Sequence, residues 1–281
     1  MRNQLLFSFL FTVIFCGSKA QELPTIKKAP LSIGETVTFT SSMLGEERQL
    51  NVYLPHGYAE NEEKVYPVIY LLDGSMDEDF IHIAGLVQFG SFSWIEMVPE
   101  SIVVGIANVN RNRDYTYPST DEEYVNKYPE TGHSADFIRF VEKEVQPLVE
   151  NTFRVTDEKT LIGQSLGGLV ATEILFKNPD LFTNYIIVSP SLWYDYESLL
   201  KLKPVSYKDK KKIFIAVGKE GDVMERVATE LYEKLQKEKG EKTTLGFKFL
   251  PEQDHGDALH LAVYHAFETL FAKKKQDGKN P

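Results

Sequence analysis

The pentapeptide Gly163-Gln164-Ser165-Leu166-Gly167 sets a serine between glycines where two hydrophobic patterns meet. Before it, "TLIG" reads as the end of a short buried strand. After it, Leu166, Leu169, Val170, Ile174 and Leu175 recur at helical spacing. A bare G-x-S-x-G match arises by chance about once in ten chains of this length. Between a strand and a helix it has a narrower meaning. Glycines remove side chains that would collide in a sharp turn, the serine Oγ stands above the strand end, and the helix N-terminus favours developing negative charge. Ser165 is therefore a candidate nucleophile, against the plainer reading of a glycine-rich turn.

A serine hydroxyl attacks only when a base takes its proton. Of six histidines, His255 in "LPEQDHGDALH" occupies a loop between the last strand pattern and the last helix pattern. His260 and His265 fall on that helix, His82 falls in a helical pattern, and His56 and His133 sit in polar loops. The base needs an acid to fix its tautomer. "GKEGD", after the strand pattern "KIFIAV", offers Glu220 and Asp222. Asp222 is preferred because its side chain would be nearer the helix start, although that position also suits a helix cap. Glu220 is the alternative. Donors for an oxyanion would be the backbone N–H of Leu166 and, from "LLDGSMDEDF", that of Ser75. Asp73-Gly74 in the same segment is also an ordinary turn signal. A metal mechanism would want clustered ligands such as H-E-x-x-H, and no such run occurs. No metal or cofactor is expected.

These residues need a sheet to hold them. Thr36–Thr40 and Gln49–Leu54 alternate like a hairpin, and apolar runs come next at 67–72, 102–107, 160–163, 185–189, 212–217 and 245–250. Helical patterns lie at Ala135–Glu150, Leu166–Lys177, Val223–Lys239 and Ala258–Phe271. The alternation predicts an α/β protein with an eight-stranded, mostly parallel sheet, helices on both faces and antiparallel strands at the start. The serine then follows strand five, the acid strand seven and the histidine strand eight, the chain order of the α/β-hydrolase fold. Residues 108–132 form a long connection without clear period, which in a compact domain suggests a functional loop.

The chain has 281 residues, 42% of them hydrophobic and 26% charged, and fits one such domain. Residues 1–20 read differently: Arg2, an apolar run, then Ser18 and Ala20 as small residues before a cleavage point. This predicts a secretory signal peptide, cleaved to leave Gln21 first, and an exported protein in the periplasm or outside the cell. The only cysteine, Cys16, is preceded by Phe15, which disfavours a lipoprotein signal. Losing Arg2 and Lys19 takes the net charge from −10 to −12, which argues against nucleic acid or an anionic membrane surface as partner. The basic end "KKKQDGKNP" reads as a short solvated tail on a single domain, 21–281. Oligomeric state leaves no trace in the sequence.

The runs "IVVGIANVNRNRDYTYPS", "TLIGQSLGGLVATEILFKNPDLFTNYIIVSPSLWYD" and "DHGDALHLAVYHAFETLF" resemble the "Putative esterase" family, the esterase D-like α/β-hydrolases. That family includes siderophore and enterobactin esterases, feruloyl and acetyl-xylan esterases, and mycolyltransferases. The resemblance covers most of residues 35–272. It implies Ser165 as nucleophile, His255 as catalytic histidine and Trp193 beside the nucleophile. It also implies that the "NRNRDYTYP" loop lines the cleft, so that Arg113 could meet an anionic or catecholate substrate; the competing reading of Arg113 is a loop-ordering ion pair. Relatives tend to carry a glutamate three residues past the strand-ending glycine, where this chain has Gly221, so the acid departs from the pattern. The expectation is an exported serine esterase, EC 3.1.1 in type, working through an acyl-enzyme on a siderophore-like ester. A carbohydrate esterase acting on an oligosaccharide ester is the alternative within the class. An acyltransferase and a non-catalytic binding protein on the same fold are the rivals outside it.

Overall fold

The computed structural model describes residues 25–272, so the predicted signal peptide and basic tail lie outside the described residues. The chain divides into two units. Residues 25–32 belong to the first and carry no regular secondary structure; the second begins at Ile33 and contains every element below.

Eight strands form one sheet in the order β1-β2-β4-β3-β5-β6-β7-β8. They are β1 (Gly34–Thr40), β2 (Glu47–Tyr53), β3 (Tyr66–Leu71), β4 (Ile102–Ile106), β5 (Val155–Gln164), β6 (Asn184–Val188), β7 (Lys211–Gly218) and β8 (Thr243–Leu250). β1 and β2 pair antiparallel, as does β2 with β4, and every pairing from β4 onward is parallel. All eight strands fall on the expected runs, with β5 five residues longer at its start.

The apolar strands β4 and β6 are buried at every position because helices cover both faces. On one face lie α4 (Ser134–Phe140), α5 (Gln146–Thr152), α6 (Leu166–Lys177), α7 (Tyr194–Lys201) and α8 (Asp222–Glu238). Phe137, Val149, Leu169, Leu199 and Leu231 are their buried anchors. On the other face α1 (Phe80–Gly90) and α9 (Ala258–Leu270) contribute Ile83, Val87, Ala262 and Phe267. The helix expected over 135–150 is α4 and α5 joined by a π turn at Val141–Val145. The aperiodic 108–132 segment contains two short helices, α2 (Arg111–Tyr115) and α3 (Glu122–Lys127), too brief to display a period.

α2 is fixed to the sheet by charge. Arg48 of β2 donates from Nη1 to Asp114 Oδ2 at 2.8 Å, and both side chains are buried. The Arg48 guanidinium also lies over the Phe137 and Phe140 rings. Arg48 Nη1 also donates to Glu46 Oε1 at 2.8 Å, so losing Asp114 removes one of its two carboxylate partners. Asp114→Ala should therefore cost about 1.5–3 kcal/mol of unfolding free energy, as for a hydrogen bond to a charged group. Equilibrium urea denaturation at neutral pH checks this: a lower midpoint at unchanged slope is expected.

Candidate active site

A parallel sheet brings the residues following its strands to one edge, and the loops after β3, β4, β5, β7 and β8 meet there. Ser165 sits at the β5–α6 junction with φ 60° and ψ −120°, a backbone conformation few side chains adopt. The glycines explain how the chain reaches it. A Cβ on Gly163 would lie 2.4 Å from the Gly167 carbonyl oxygen, so only glycine lets the first turn of α6 seat against the strand end. Three backbone bonds offset the strain: Ser165 N–H donates to Val188 O at 3.1 Å, and Ser165 O accepts from Leu169 N at 2.9 Å and Ser191 N at 3.0 Å. The Ser165 and Ser191 hydroxyls are 3.3 Å apart. Leu166 opens α6, so its N–H is among the first-turn amides an α-helix leaves unpaired.

Ser165, Ser191, Trp193, Lys219, Glu220, Met224, Asp254 and His255 line one open cavity of about 620 Å³. His255 stands in a tight turn made by Asp254 and Asp257: Gly256 N–H donates to Asp254 Oδ1, and Asp254 N–H donates to Asp257 Oδ1, both at 2.8 Å. Gln164, the residue before the serine, donates from Nε2 to His255 O at 2.6 Å and ties the two loops together.

The acid that meets the histidine is Glu220, not the preferred Asp222. His255 Nδ1 donates to Glu220 Oε2 at 2.5 Å, and the Glu220 side chain is only 2% exposed. Glu220 Oε1 also accepts from Ser189 Oγ and from Gly218 N–H. Asp222 is exposed and heads α8. The reason is Gly221, which turns the chain at φ 88° so that Asp222 starts the helix while Glu220 remains over the strand end. Glu225 fixes the turn by accepting from the N–H groups of Glu220 and Gly221, each at 3.0 Å. Burial pushes the Glu220 carboxyl up, but the hydrogen bonds from His255, Ser189 and Gly218 outweigh it and hold it below the usual carboxylate range. The bond to Glu220 raises the imidazole above the ordinary histidine value, against the opposing pull of burial. With the carboxylate ionised and Nδ1 carrying the shared proton, neutral His255 keeps Nε2 as a free acceptor.

Arg113 does not enter the cavity. It pairs with Glu46 and Asp114, the loop-ordering arrangement, because Glu46 at the end of the β1–β2 turn lies beside the far side of α2. The arginine near the serine is Arg111, two residues earlier and so on the opposite side of the helix. Its Nε and Nη2 donate to Asp73 Oδ1 and Oδ2 at 2.6 and 3.0 Å, and Nη2 also donates to Gln164 O at 3.2 Å. Spacing alone could not choose between the arginines; the acids at Glu46 and Asp114 decide it, and one of these is distant in sequence. Ser75 N–H donates to Glu78 Oε2 at 3.2 Å, so serving an oxyanion requires that carboxylate to swing aside. Trp193, 38% exposed, forms a wall of the cavity and packs edge-on against Tyr124 of α3.

Fold and site together define a class, the α/β-hydrolases. The family model described as "Putative esterase" matches residues 41–275, and the chain belongs to that family. Among curated proteins it is similar to the ferri-bacillibactin esterase BesA of Bacillus subtilis (strain 168), 29% identical over 181 residues. That match takes in 60% of this chain and 62% of BesA, so it spans less than two thirds of the relative. Among solved structures, an IroE-like serine hydrolase from Shewanella oneidensis superposes with a TM-score of 0.75 at 31% identity, over 85% of this chain and 80% of that one. The BES protein from Bacillus cereus superposes with a TM-score of 0.74 at 26% identity, over 89% and 98%.

The Glu220–His255 bond has a readable pH signature. An imidazole stabilised as the cation gives up its proton at higher pH, so the acid limb of kcat/KM should lie above histidine's ordinary value of about 6.5. Glu220→Gln should move that limb downward and lower kcat/KM by about 10²–10⁴-fold. Asp222→Asn should stay within about threefold of the parent. Paired pH–rate profiles for both variants, with an activated ester as substrate, check the assignment.

Proposed function

We propose that this chain is an exported serine esterase that cleaves a siderophore-type ester through an acyl-enzyme. The observation that carries the reading is the joining of His255, oriented by a buried ionised Glu220, to the strained Ser165 turn in one cavity. Export rests on the sequence pattern of residues 1–20 alone. The siderophore side rests on the kinds of protein the chain is similar to, a ferri-bacillibactin esterase and an IroE-like serine hydrolase.

In the first half-reaction Ser165 Oγ forms a bond to the ester carbonyl carbon while His255 Nε2 takes its proton. The oxygen of the tetrahedral intermediate receives hydrogen bonds from the Leu166 amide and, once Glu78 has moved, from Ser75. The ester C–O bond breaks, and the alcohol leaves with the proton from His255. Water then adds to the acyl-enzyme, giving its proton to His255, and the acid departs as Ser165 recovers its own. Glu220 stays ionised throughout and stabilises the imidazolium formed in each half.

The test is hydrolysis of p-nitrophenyl acetate by the purified protein beside Ser165→Ala, followed by a cyclic catecholate trilactone and an acetylated or feruloylated xylo-oligosaccharide. The variant is expected at background, about 10³–10⁶-fold down in kcat. The trilactone should be opened with a kcat/KM at least about tenfold above that for the oligosaccharide esters. Equal rates for parent and variant would remove the serine mechanism. Preference for the oligosaccharide would replace the siderophore reading with the carbohydrate one.

A further inference from the structure

Asp73, like Ser165 and Ser189, is a strained non-glycine residue at this edge, with φ 54° two residues past the end of β3. Its side chain is nearly buried, and the β4–α2 connection, α2 and the first turn of α6 all reach it. The β4–α2 connection sends Arg111 to both carboxylate oxygens and Asn108 Nδ2 to Oδ1 at 2.7 Å. Tyr115 of α2 accepts the Asp73 N–H on its hydroxyl at 3.1 Å, and the Arg111 guanidinium lies over the Tyr115 ring. The carboxylate also sits over the first turn of α6: a Cβ on Gly167 would be 3.2 Å from Asp73 Oδ2. The same guanidinium closes the circuit through Nη2 to Gln164 O, the carbonyl just before Ser165.

One arginine thus holds the β3–α1 loop, which carries Ser75, to the β5–α6 turn, which carries Ser165 and Leu166. We propose that Arg111 and Asp73 form a positioning pair that locks these two loops at the separation needed for the Ser75 and Leu166 amides to face one carbonyl oxygen. This rests on the esterase reading of the same site. Neither side chain touches the reacting atoms. The pair acts by setting where two sets of backbone donors stand, and small misplacement of such donors is costly to rate. The fork geometry matters. Nε and Nη2 serve Asp73 while Nη2 reaches on to Gln164, which a point charge on a flexible stem cannot reproduce. Glycine packing supports the same approach from the other side, since a Cβ on Gly74 would lie 2.3 Å from Gly105 Cα in β4.

The test compares the parent with Asp73→Asn, Arg111→Gln, Arg111→Lys and the Asn/Gln double variant. Asparagine tolerates the left-handed backbone, so Asp73→Asn removes the charge while leaving the turn. Each single Asn or Gln variant should lower kcat for p-nitrophenyl acetate by about 30-fold or more with KM within about threefold, and the double should be no more than about threefold worse than the poorer single. Amide hydrogen exchange of residues 72–76 and 163–167 should quicken in both segments of all three. Arg111→Lys, which keeps the charge and guards against loss of fold, should still be at least about tenfold down. Additive losses, a raised KM at unchanged kcat, unaltered exchange, or full activity in Arg111→Lys would each overturn the pair. If the parent itself cleaves no ester, the esterase reading fails, and the exchange comparison still judges whether one contact holds both loops.

Discussion

The seating of α6 against the end of β5 is the constraint on which the rest of the site depends. A helix packed at ordinary distance would leave Ser165 in the plane of the sheet edge. Glycines at 163, 167 and 168 let the helix backbone come closer; a Cβ on Gly168 would already meet Pro190 at 2.9 Å. The approach forces the reversal at Ser165 and orients its hydroxyl toward the space above β5 and β6. The energy that keeps it there comes from the core beneath. Leu169, Val170, Ile174 and Leu175 are fully buried on that face, and burying each such side chain contributes about 1.5–3 kcal/mol. A local cost of about 1–3 kcal/mol for a strained residue is small against that sum.

The electrostatics follow from burial at the same edge. An acidic chain has no shortage of carboxylates, yet few are useful near a serine, because a buried one must be kept ionised. Glu220 achieves this with three donors. Asp73 serves geometry instead, accepting hydrogen bonds from two nitrogens of Arg111 and from Asn108. Asp79 shows the contrast: burial, then the nearby Asp73 and Glu78, push it up to about 6. The Glu220–His255 pair also couples folding to pH from both sides. The raised imidazole contributes stability that is complete below histidine's unfolded value and is lost as pH rises through the folded one. The depressed carboxyl contributes stability present above the unfolded glutamate value and lost as pH falls through the folded one. The bond is thus worth most to the fold in a window bounded by those two titrations. The free base that the proposed mechanism needs is populated toward its upper edge.

The sheet was legible because its signal is local and repeated: an apolar run such as "IVVGI" buried on both sides reads the same wherever it lies. Ser165 and His255 were legible as the residues following particular strands, since a parallel sheet collects such residues at one edge. The acid was not legible at the resolution of two residues. Glu220 and Asp222 differ in a single backbone angle at Gly221, and nothing in "GKEGD" states whether the helix begins before or after it. The two arginines failed for another reason. Which one turns toward the serine is decided by Glu46, which comes from a hairpin 67 residues away. Asp73 read as half of a turn signal, and its role depends on Arg111, Asn108 and Tyr115 arriving from the next connection.

The cavity wall stands on the loop after β6. Trp193 lies just before three consecutive left-handed residues, Asp195, Tyr196 and Glu197, a conformation that needs outside support. Asp195 supplies it by accepting from Ser119 Oγ and from both the N–H and hydroxyl of Thr120, which binds α7 to the 116–121 segment. Tyr124 then packs against both Trp193 and Tyr194. The wall shares its loop with the rest of the site: Ser191, two residues before Trp193, donates its N–H to Ser165 O, and Ser189, four residues before it, donates its hydroxyl to Glu220. The side chains of Trp193 and Tyr124 can change while those bonds stay, but the backbone of this loop cannot. Likeness in the sheet and in the Ser165 turn therefore speaks to the fold, and which ester the proposed reaction would take has to be argued from Trp193, Tyr124 and the loops that carry them.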